Sequence, residues 1–382
     1  MKKCYSVLLA AAVLMSAGCS TLDDLNPFSG KTKAKVGKLA ELPLGGDFKY
    51  TWKQSTGSSG VYVFSPAVHE KSVFSASSDG SVQRIENGSA VWKITLKEKL
   101  SGGVGTDGAR VAVGTPKGEV VVLDAKSGIE LWRAKASSEI LAAPVVAEGL
   151  VVARSGDSRI YAYEGADGKR RWVYQRTTPT LTLRSNVGVA VKGDKTFAGL
   201  PGGKLVALSN VNGAAMWEAT VALPRGATEL ERVTDITSEP AISGAVVCAV
   251  AFQGKLACFD RVSGNAIWSR DVSSSVGIDA DASAVYVSDD KGSVHSFALP
   301  TGASVWKQES LQGRGVGRPL VLGKRISVSD NQGYIHFMDS GDGSIVARGS
   351  TDSSGVRSAM SRSDSGLVAQ TTDGAVYAFS SN

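Results

Sequence analysis

The seven tryptophans of this chain recur at one position of a repeating unit of about forty residues. Six copies of the unit contain glycine, three further residues and tryptophan: Gly88 to Trp92, Gly128 to Trp132, Gly168 to Trp172, Gly213 to Trp217, Gly264 to Trp268 and Gly302 to Trp306. A seventh copy begins at Gly343 and has Ala347 in the tryptophan position. Trp52 precedes the first copy, and the last segment, 373–379, stops before a tryptophan of its own. Because these two incomplete ends together make one unit, the repeat predicts eight units closed into a ring.

Each unit has the pattern of four short β-strands. In the copy spanning 143–173, apolar and β-branched runs at 144–146, 150–153, 160–163 and 169–173 are separated by Gly, Asp and Ser, which favour turns. Four strands in about forty residues is typical of a propeller blade. The sequence therefore predicts an all-β, eight-bladed β-propeller whose ring is closed by the N- and C-terminal strands in one blade.

The tryptophans are interpreted as structural docking residues. Each ring should bury about 150–250 Å² between neighbouring blades, a gross gain of about 4–6 kcal/mol. A ligand site would use one or two such rings, whereas here Trp52, Trp92, Trp132, Trp172, Trp217, Trp268 and Trp306 supply one for nearly every unit. Ala347 is accordingly expected to mark the weak junction.

The first eighteen residues are typical of a secretory signal. Lys2 and Lys3 precede an apolar run at 7–15, which is too short to span a membrane as a mature helix. Residues 16–19, Ser-Ala-Gly-Cys, resemble a bacterial lipobox, although Ser16 replaces the usual leucine. The resemblance implies a signal peptide at 1–18, a covalent lipid on Cys19 and, since Ser20 follows, an outer-membrane location facing the periplasm. The alternative is an ordinary signal followed by a free cysteine.

Residues 19–46 are predicted to be a lipidated N-terminus and flexible tether, and residues 47–382 to be the propeller. The tether contains scattered lysines that could contact anionic head groups, although a solvated linker is the simpler interpretation. The formal net charge of the chain is +6, and removal of Lys2 and Lys3 lowers it further. This charge is too small and too scattered to indicate nucleic-acid binding.

Two cysteines, Cys248 and Cys258, remain after the signal and Cys19 are set aside. They flank a predicted turn at Gln253 and Gly254, so a disulfide across the hairpin can form. The interpretation we favour is that Cys248 and Cys258 are two small buried side chains that are not bonded to each other.

No pattern of catalytic or metal-binding residues is evident. His69, His295 and His336 fall in different units and at positions that do not match, and no metal-ligand spacing or nucleophile elbow occurs. The recurrent aspartates lie at predicted turns, where bonds to the backbone are ordinary. These observations favour a non-enzymatic protein with no cofactor besides the lipid on Cys19.

The segment 123–132, Leu-Asp-Ala-Lys-Ser-Gly-Ile-Glu-Leu-Trp, resembles the docking repeat of quinoprotein dehydrogenases. Those enzymes bind pyrroloquinoline quinone and Ca²⁺ in an eight-bladed propeller, so the resemblance implies an alternative function as a periplasmic quinoprotein. They are generally longer, and many have a disulfide between adjacent cysteines, which this sequence lacks.

The spacing of the repeat is irregular at two consecutive places, in segments 174–186 and 219–239. Both segments join an outer strand to the next inner strand, so they should emerge on one face of neighbouring blades and form a candidate binding surface. The first contains Leu181, Leu183 and Arg184, which is a common composition for the centre of an interface. The second contains Asp235 among other acidic residues. Packing between blades is the alternative role for both segments.

The whole chain resembles the BamB family, the propeller lipoproteins of the outer-membrane β-barrel assembly (BAM) complex. The family's contact pattern Leu-x-Leu-Arg is matched by Leu181, Leu183 and Arg184, and Asp235 matches the first acid of the second loop, whereas Thr237 departs from the second acid. The resemblance implies a scaffold that binds the periplasmic POTRA domains of BamA, with the leucines as anchors, Arg184 as a donor and Asp235 facing a basic partner side chain. Addition of unfolded outer-membrane proteins to exposed strand edges is a further possibility, and a self-associating propeller is the third alternative.

Overall fold

The computed structural model describes residues 47–380 together with Leu39 and Leu42. The chain divides into two units, residues 1–36 and residues 37–382, and the first lies outside the described residues. The predicted signal peptide 1–18, the lipidation site Cys19 and almost all of the predicted tether 19–46 also lie outside them.

The described chain begins with strands β1 (Asp47–Phe48) and β2 (Tyr50–Ser55). Four antiparallel sheets follow along the chain. Blade 1 consists of β3 (Ala67–His69), β4 (Ser72–Ala76), β5 (Ser81–Glu86) and β6 (Ser89–Thr95); blade 2 of β7 (Gly102–Thr106), β8 (Arg110–Gly114), β9 (Glu119–Asp124) and β10 (Glu130–Lys135); blade 3 of β11 (Val145–Ala147), β12 (Leu150–Arg154), β13 (Ile160–Glu164) and β14 (Arg170–Tyr174); and blade 4 of β15 (Val189–Lys192), β16 (Lys195–Leu200), β17 (Lys204–Ser209) and β18 (Ala215–Thr220).

Four further sheets complete the ring. Blade 5 consists of β19 (Ala241–Ser243), β20 (Val246–Val250), β21 (Leu256–Asp260) and β22 (Ala266–Arg270); blade 6 of β23 (Ile278–Ala280), β24 (Ala284–Ser288), β25 (Val294–Ala298) and β26 (Ser304–Gln308); blade 7 of β27 (Leu320–Leu322), β28 (Arg325–Ser329), β29 (Tyr334–Asp339) and β30 (Ile345–Ser350); and blade 8 of β31 (Ser361–Ser363), β32 (Gly366–Gln370) and β33 (Ala375–Ser380).

The ring is closed by pairing of the first and last parts of the described chain. Strand β2 pairs antiparallel with β33, where Trp52 lies opposite Ala378, and so becomes the outer strand of blade 8. Strand β1 pairs parallel with β30 and adds a fifth strand to blade 7. This arrangement confirms the predicted eight-bladed all-β propeller. Since the regular elements of the described residues are all strands, none of them is a helix that could cross a membrane.

The core lies between neighbouring blades. The middle strands are buried on both faces, as in β4 and β9, and this explains their continuous apolar runs. One typical cluster combines Val120, Val122 and Trp132 of blade 2 with Val151 and Tyr161 of blade 3. Each blade therefore depends on its neighbours to bury its apolar faces, as expected for a repeat protein.

The tryptophans lie at these junctions. Six indole N–H groups each donate to a backbone carbonyl of the following blade at 2.7–3.2 Å: Trp92 to Ala125, Trp132 to Gly165, Trp172 to Asn210, Trp217 to Arg261, Trp268 to Leu299 and Trp306 to Ser340. The glycine of the next repeat lies against the same ring. A Cβ on Gly213, for example, would be 2.8 Å from the ring of Trp172. The glycine and the tryptophan of the repeat are thus contact partners across successive blades.

The two remaining cysteines correct one of our expectations. Cys248 on β20 lies directly opposite Cys258 on β21, and the two form a disulfide. The favoured interpretation of two separate buried thiols is wrong. Strands β20 and β21 pair without a register shift, from Val246 opposite Asp260 to Val250 opposite Leu256. Because Cys248 and Cys258 are directly opposite each other, their side chains lie on the same face of the sheet.

The histidines require a second correction. His295 on β25 and His336 on β29 occupy equivalent positions of blades 6 and 7, and each lies six residues after the aspartate that it contacts. Nε2 of His295 is 2.8 Å from Asp289, and Nε2 of His336 is 3.0 Å from Asp330. The prediction that the histidine positions do not match is therefore wrong for this pair, which serves to hold the turns after β24 and β28.

Candidate interaction surface

Two long loops interrupt the regular ring. Residues 175–188, here named loop A, join β14 to β15, and residues 221–240, named loop B, join β18 to β19. Both run from the outer strand of one blade to the inner strand of the next, close to the boundaries predicted from the spacing. They emerge on the same face of the propeller as the turns between the second and third strands of each blade, which we name the long-loop face.

Loops A and B meet above the turn between β16 and β17. Loop B begins against this turn, because the N–H of Val221 donates to the carbonyl of Gly203 at 2.9 Å. Gly203 has a φ of +68°, and a Cβ there would lie 2.2 Å from the carbonyl oxygen of Ala222. Glycine is thus required at this position for loop B to approach the turn.

Asp235 of loop B joins the two loops. Its Oδ2 accepts a hydrogen bond from the backbone N–H of Leu183 at 2.7 Å, and its Oδ1 accepts one from the N–H of Gly202 at 3.0 Å. The residue is 4% exposed, and its carbonyl accepts the N–H of Phe252 from blade 5 at 2.9 Å. The carboxylate therefore connects loop A, loop B and the blade 4 turn.

This placement corrects the role expected for Asp235. The resemblance implied an acid that faces a basic side chain of a partner, but both carboxylate oxygens are engaged by backbone donors inside the protein. A cation does lie nearby within the chain: Arg154 of β12 donates from Nη1 to the carbonyl of Gly199 at 2.7 Å. Burial lowers the pKa of Arg154 to about 10 despite the opposing charge of Asp235, so the guanidinium stays charged at neutral pH.

The two leucines of loop A remain on the surface. Leu181 is 40% exposed and Leu183 is 38% exposed, although the backbone of Leu183 is fixed by Asp235. Leu183 borders a shallow hollow that also includes Leu141, Ala142 and Val187. Because the backbone N–H of Leu183 is held by Asp235, less backbone freedom is lost at this residue on binding, as is expected of an interface anchor.

Arg184 already has an acidic partner within the chain. Its Nε and Nη2 donate to the two carboxylate oxygens of Glu139, each at 2.8 Å. Glu139 belongs to residues 136–144, which join β10 to β11. The hydrogen bonds to Glu139 hold the pKa of Arg184 above its ordinary value. Sequence reasoning missed Glu139, since no pattern connects a residue of one blade junction with a residue of the next.

The central channel is the place where the quinone and Ca²⁺ of the alternative function would bind. The channel encloses about 700 Å³. Its carboxylates are paired with arginines: Glu239 lies 3.6 Å from Arg318, and Asp279 contacts Arg362. Ca²⁺ takes six to eight oxygen ligands, but across residues 47–380 no three His, Cys, Asp or Glu side chains group in a way that could hold a metal. The residues of this channel therefore do not fit a quinone–calcium site.

Comparison with known proteins identifies the family. A family model described as outer membrane protein assembly factor BamB matches residues 78–308. The assembly factor BamB of Bordetella pertussis is 38% identical over 98% of this chain and 96% of its own length. The chain belongs to the BamB family. The BamB protein of Burkholderia pseudomallei is likewise 38% identical, over 98% of this chain and 97% of its own length.

Solved structures agree with the assignment to the BamB family. The crystal structure of BamB from Moraxella catarrhalis has a TM-score of 0.81 at 25% identity and covers 87% of this chain and 99% of that chain. A quinohemoprotein alcohol dehydrogenase from Comamonas testosteroni has a TM-score of 0.70 at 14% identity, covering 88% of this chain and 76% of that one. The second likeness reflects the shared propeller fold alone.

Proposed function

We propose that this chain is an outer-membrane protein assembly factor that acts as a non-catalytic scaffold of the BAM complex and binds the periplasmic POTRA domains of BamA. The observation that carries this proposal is the surface of loop A, where Leu181 and Leu183 are exposed beside Arg184 and Asp235 holds the backbone N–H of Leu183. Family membership supports the same function, because the relatives are named as assembly factors.

The residues of this surface have distinct roles in the proposal. Leu181 and Leu183 are the apolar anchors, which enter a hollow of the partner and lose contact with water. Arg184 supplies up to five N–H donors in a planar fork, suited to a carboxylate beside the anchors. Asp235 acts indirectly, since it holds Leu183 in place and lowers the entropy lost when the partner binds.

The lipid anchor on Cys19 completes the proposal. Attached lipid would confine the propeller to the periplasmic side of the outer membrane, and the tether 19–46 would let it reach its partner. Confinement raises the effective concentration of two proteins that share a membrane. A contact of modest affinity is therefore sufficient for stable association.

Strand addition by unfolded barrel proteins has weaker support. Each blade's outer strand has an irregular register at the residue before the docking position, as at Val91, Leu131 and Met216. A bulge disturbs the row of hydrogen-bonding groups that an added strand would need. The outer edges are thus poor templates for a long incoming strand, and the one strand added at such an edge among the described residues, β1 on blade 7, pairs over two residues only.

The decisive experiment combines photocrosslinking with a double substitution. We expect a photoreactive residue at position 183 to form an adduct with BamA in cells, and Leu183→Ala plus Arg184→Ala to reduce BamA co-purification. Leu131→Ala plus Arg133→Ala is the matched control, because it removes one exposed leucine and one arginine from the outer strand of blade 2. Equal recovery of BamA with both double variants would refute the proposed surface. A thermal shift on adding pyrroloquinoline quinone and Ca²⁺ would instead favour the quinoprotein alternative.

A further inference from the structure

Glu139 occupies the binding fork of Arg184 in the isolated chain. Nε of Arg184 donates to Oε1 of Glu139 and Nη2 donates to Oε2, which is the bidentate geometry that arginine forms with carboxylates. The Arg184 side chain is 59% exposed and that of Glu139 is 25% exposed. The pair is therefore accessible to a competing group from solvent.

The position of Glu139 is set by its own loop. Its carbonyl accepts the N–H of Gly156 at 2.8 Å, and the next residue, Ile140, is fully buried and donates its N–H to the carbonyl of Thr115 at 3.1 Å. A Cβ on Gly156 would lie 2.9 Å from Cγ of Glu139. The absence of a side chain at Gly156 leaves room for Glu139 to extend toward Arg184.

The contact also extends the surface to a third blade junction. Asp235 ties loop B to loop A, and the pair of Arg184 with Glu139 ties loop A to residues 136–144. Three successive junctions on the long-loop face are thus linked by side-chain contacts, and Leu183 lies between the two links. Any partner that docks on Leu183 lies next to the ion pair.

We propose that Glu139 is an internal competitor for the partner's carboxylate: it pairs with Arg184 in the free protein and is displaced when an acidic side chain of the partner arrives. The inference rests on the proposed function. It defines the partner surface as a carboxylate flanked by a hollow for apolar side chains. The carboxylate of Glu139 itself demonstrates that this position of Arg184 accommodates such a group with two hydrogen bonds.

Displacement is energetically feasible because the internal pair is exposed. Exposed ion pairs contribute about 0.2–1 kcal/mol, which is a factor of up to about five in a binding constant. Removing the charge of Glu139 should therefore free Arg184 and tighten partner binding by up to about fivefold. If Glu139 oriented Arg184 for the partner instead, the same substitution would weaken binding.

The test measures the Kd of the purified BamA POTRA region for four variants of the full propeller. We expect Glu139→Gln to bind up to about fivefold more tightly, Arg184→Ala to bind more weakly, and Glu139→Gln to have no effect when Arg184→Ala is also present. Glu164→Gln is the matched control, because Glu164 forms the same bidentate contact with Arg171, at 2.6 and 2.7 Å, on the opposite face. Melting temperatures of all variants check the fold.

The outcomes separate this inference from the proposed function. If Arg184→Ala weakens binding but Glu139→Gln leaves it unchanged or weaker, the competitor role is refuted and the surface stands. If Arg184→Ala has no effect, the proposed surface itself is refuted. An equal gain from Glu164→Gln would show a general charge effect and would also refute the competitor role.

Discussion

Phe48 packs against the cluster that contains Ala347. At the other junctions the tryptophan position is large and the glycine position is small, whereas here the small residue is Ala347 and the large residue is Phe48. Ala347 stands in the tryptophan position of blade 7, while Phe48 lies four residues before Trp52, in the glycine position of blade 8. The ring of Phe48 is centred 5.2 Å from that of Phe337, which lies opposite Ala347 in the sheet. The junction that we expected to be weak therefore receives an aromatic side chain from β1, the fifth strand of blade 7.

Substitution of Phe48 tests this exchange. Phe48→Ala should lower the free energy of unfolding by about 1–3 kcal/mol, less than the loss for a fully buried phenylalanine because the side chain is half-buried. Urea unfolding followed by tryptophan fluorescence measures the change. Lys49→Ala, at the exposed neighbouring position, is the control and should have little effect. Equal stability of both variants would mean that Phe48 does not support the junction.

A pair of glycines in blade 4 separates backbone strain from contact with the docking ring. Gly213 and Gly193 have φ values of +73° and +61°, but only Gly213 lies against a tryptophan, whereas a Cβ on Gly193 would meet nothing within 4 Å. Gly193→Ala should cost about 1–2 kcal/mol, the strain of a left-handed alanine. Gly213→Ala should cost more, because Trp172 must also move. Thermal unfolding of both variants decides the matter, and similar losses would argue against the contact.

Asp235 should control the order of loop A. In Asp235→Asn one carboxylate oxygen is replaced by an NH₂ group, which cannot accept a hydrogen bond. Either Leu183 or Gly202 therefore loses the acceptor of its backbone N–H. We expect faster hydrogen exchange at the amide of Leu183 and weaker binding of the partner, with a loss of stability of about 1–3 kcal/mol. Asp194→Asn, on an exposed turn residue, is the control. Unchanged exchange at Leu183 would show that the carboxylate does not hold the loop.

His336 should make the propeller less stable as the pH falls from about 7 to about 5. Burial lowers the pKa of His336, although Asp330 opposes the shift and the charges of Arg348 and Arg314 assist it. Nε of Arg348 donates to Nδ1 of His336 at 3.4 Å, so Nε2 has the proton and donates to Asp330. The unfolded chain binds a proton at His336 more readily than the folded chain, so stability decreases as the pH falls below about 6.5.

Urea unfolding at several pH values in this range measures the effect of His336. The slope of stability against pH should be flatter in His336→Gln than in the wild-type protein. Hydrogen bonds from His336 and Tyr334 hold the pKa of Asp330 below its usual range despite burial. The stability that ionised Asp330 contributes is therefore lost only at a pH below the range in which His336 acts. His69→Gln, on an exposed residue of β3, should retain the wild-type slope. An unaltered slope in His336→Gln would exclude His336 as its source.

Local patterns predicted the fold because each repeat encodes its own contacts. The spacing of glycine and tryptophan is sufficient to derive eight blades, and the surplus residues between Trp172 and Trp268 locate loops A and B. The disulfide was left open by the sequence because a shift of one residue in the turn at Gln253 would place Cys248 and Cys258 on opposite faces of the sheet. The equivalence of His295 and His336 was visible as a common distance of eleven residues from Trp306 and Ala347.

The sequence by itself determined the repeat, the closure of the ring and the placement of Leu181, Leu183 and Arg184 in a loop. The tertiary structure decided what those residues contact: Asp235 is buried under Leu183, and Glu139 pairs with Arg184 from another junction. The physical reason is that strand and turn patterns arise from neighbours along the chain, whereas contacts between loops depend on the distance between blades after the ring closes. Side chains far apart in sequence acquire their partners only at that stage.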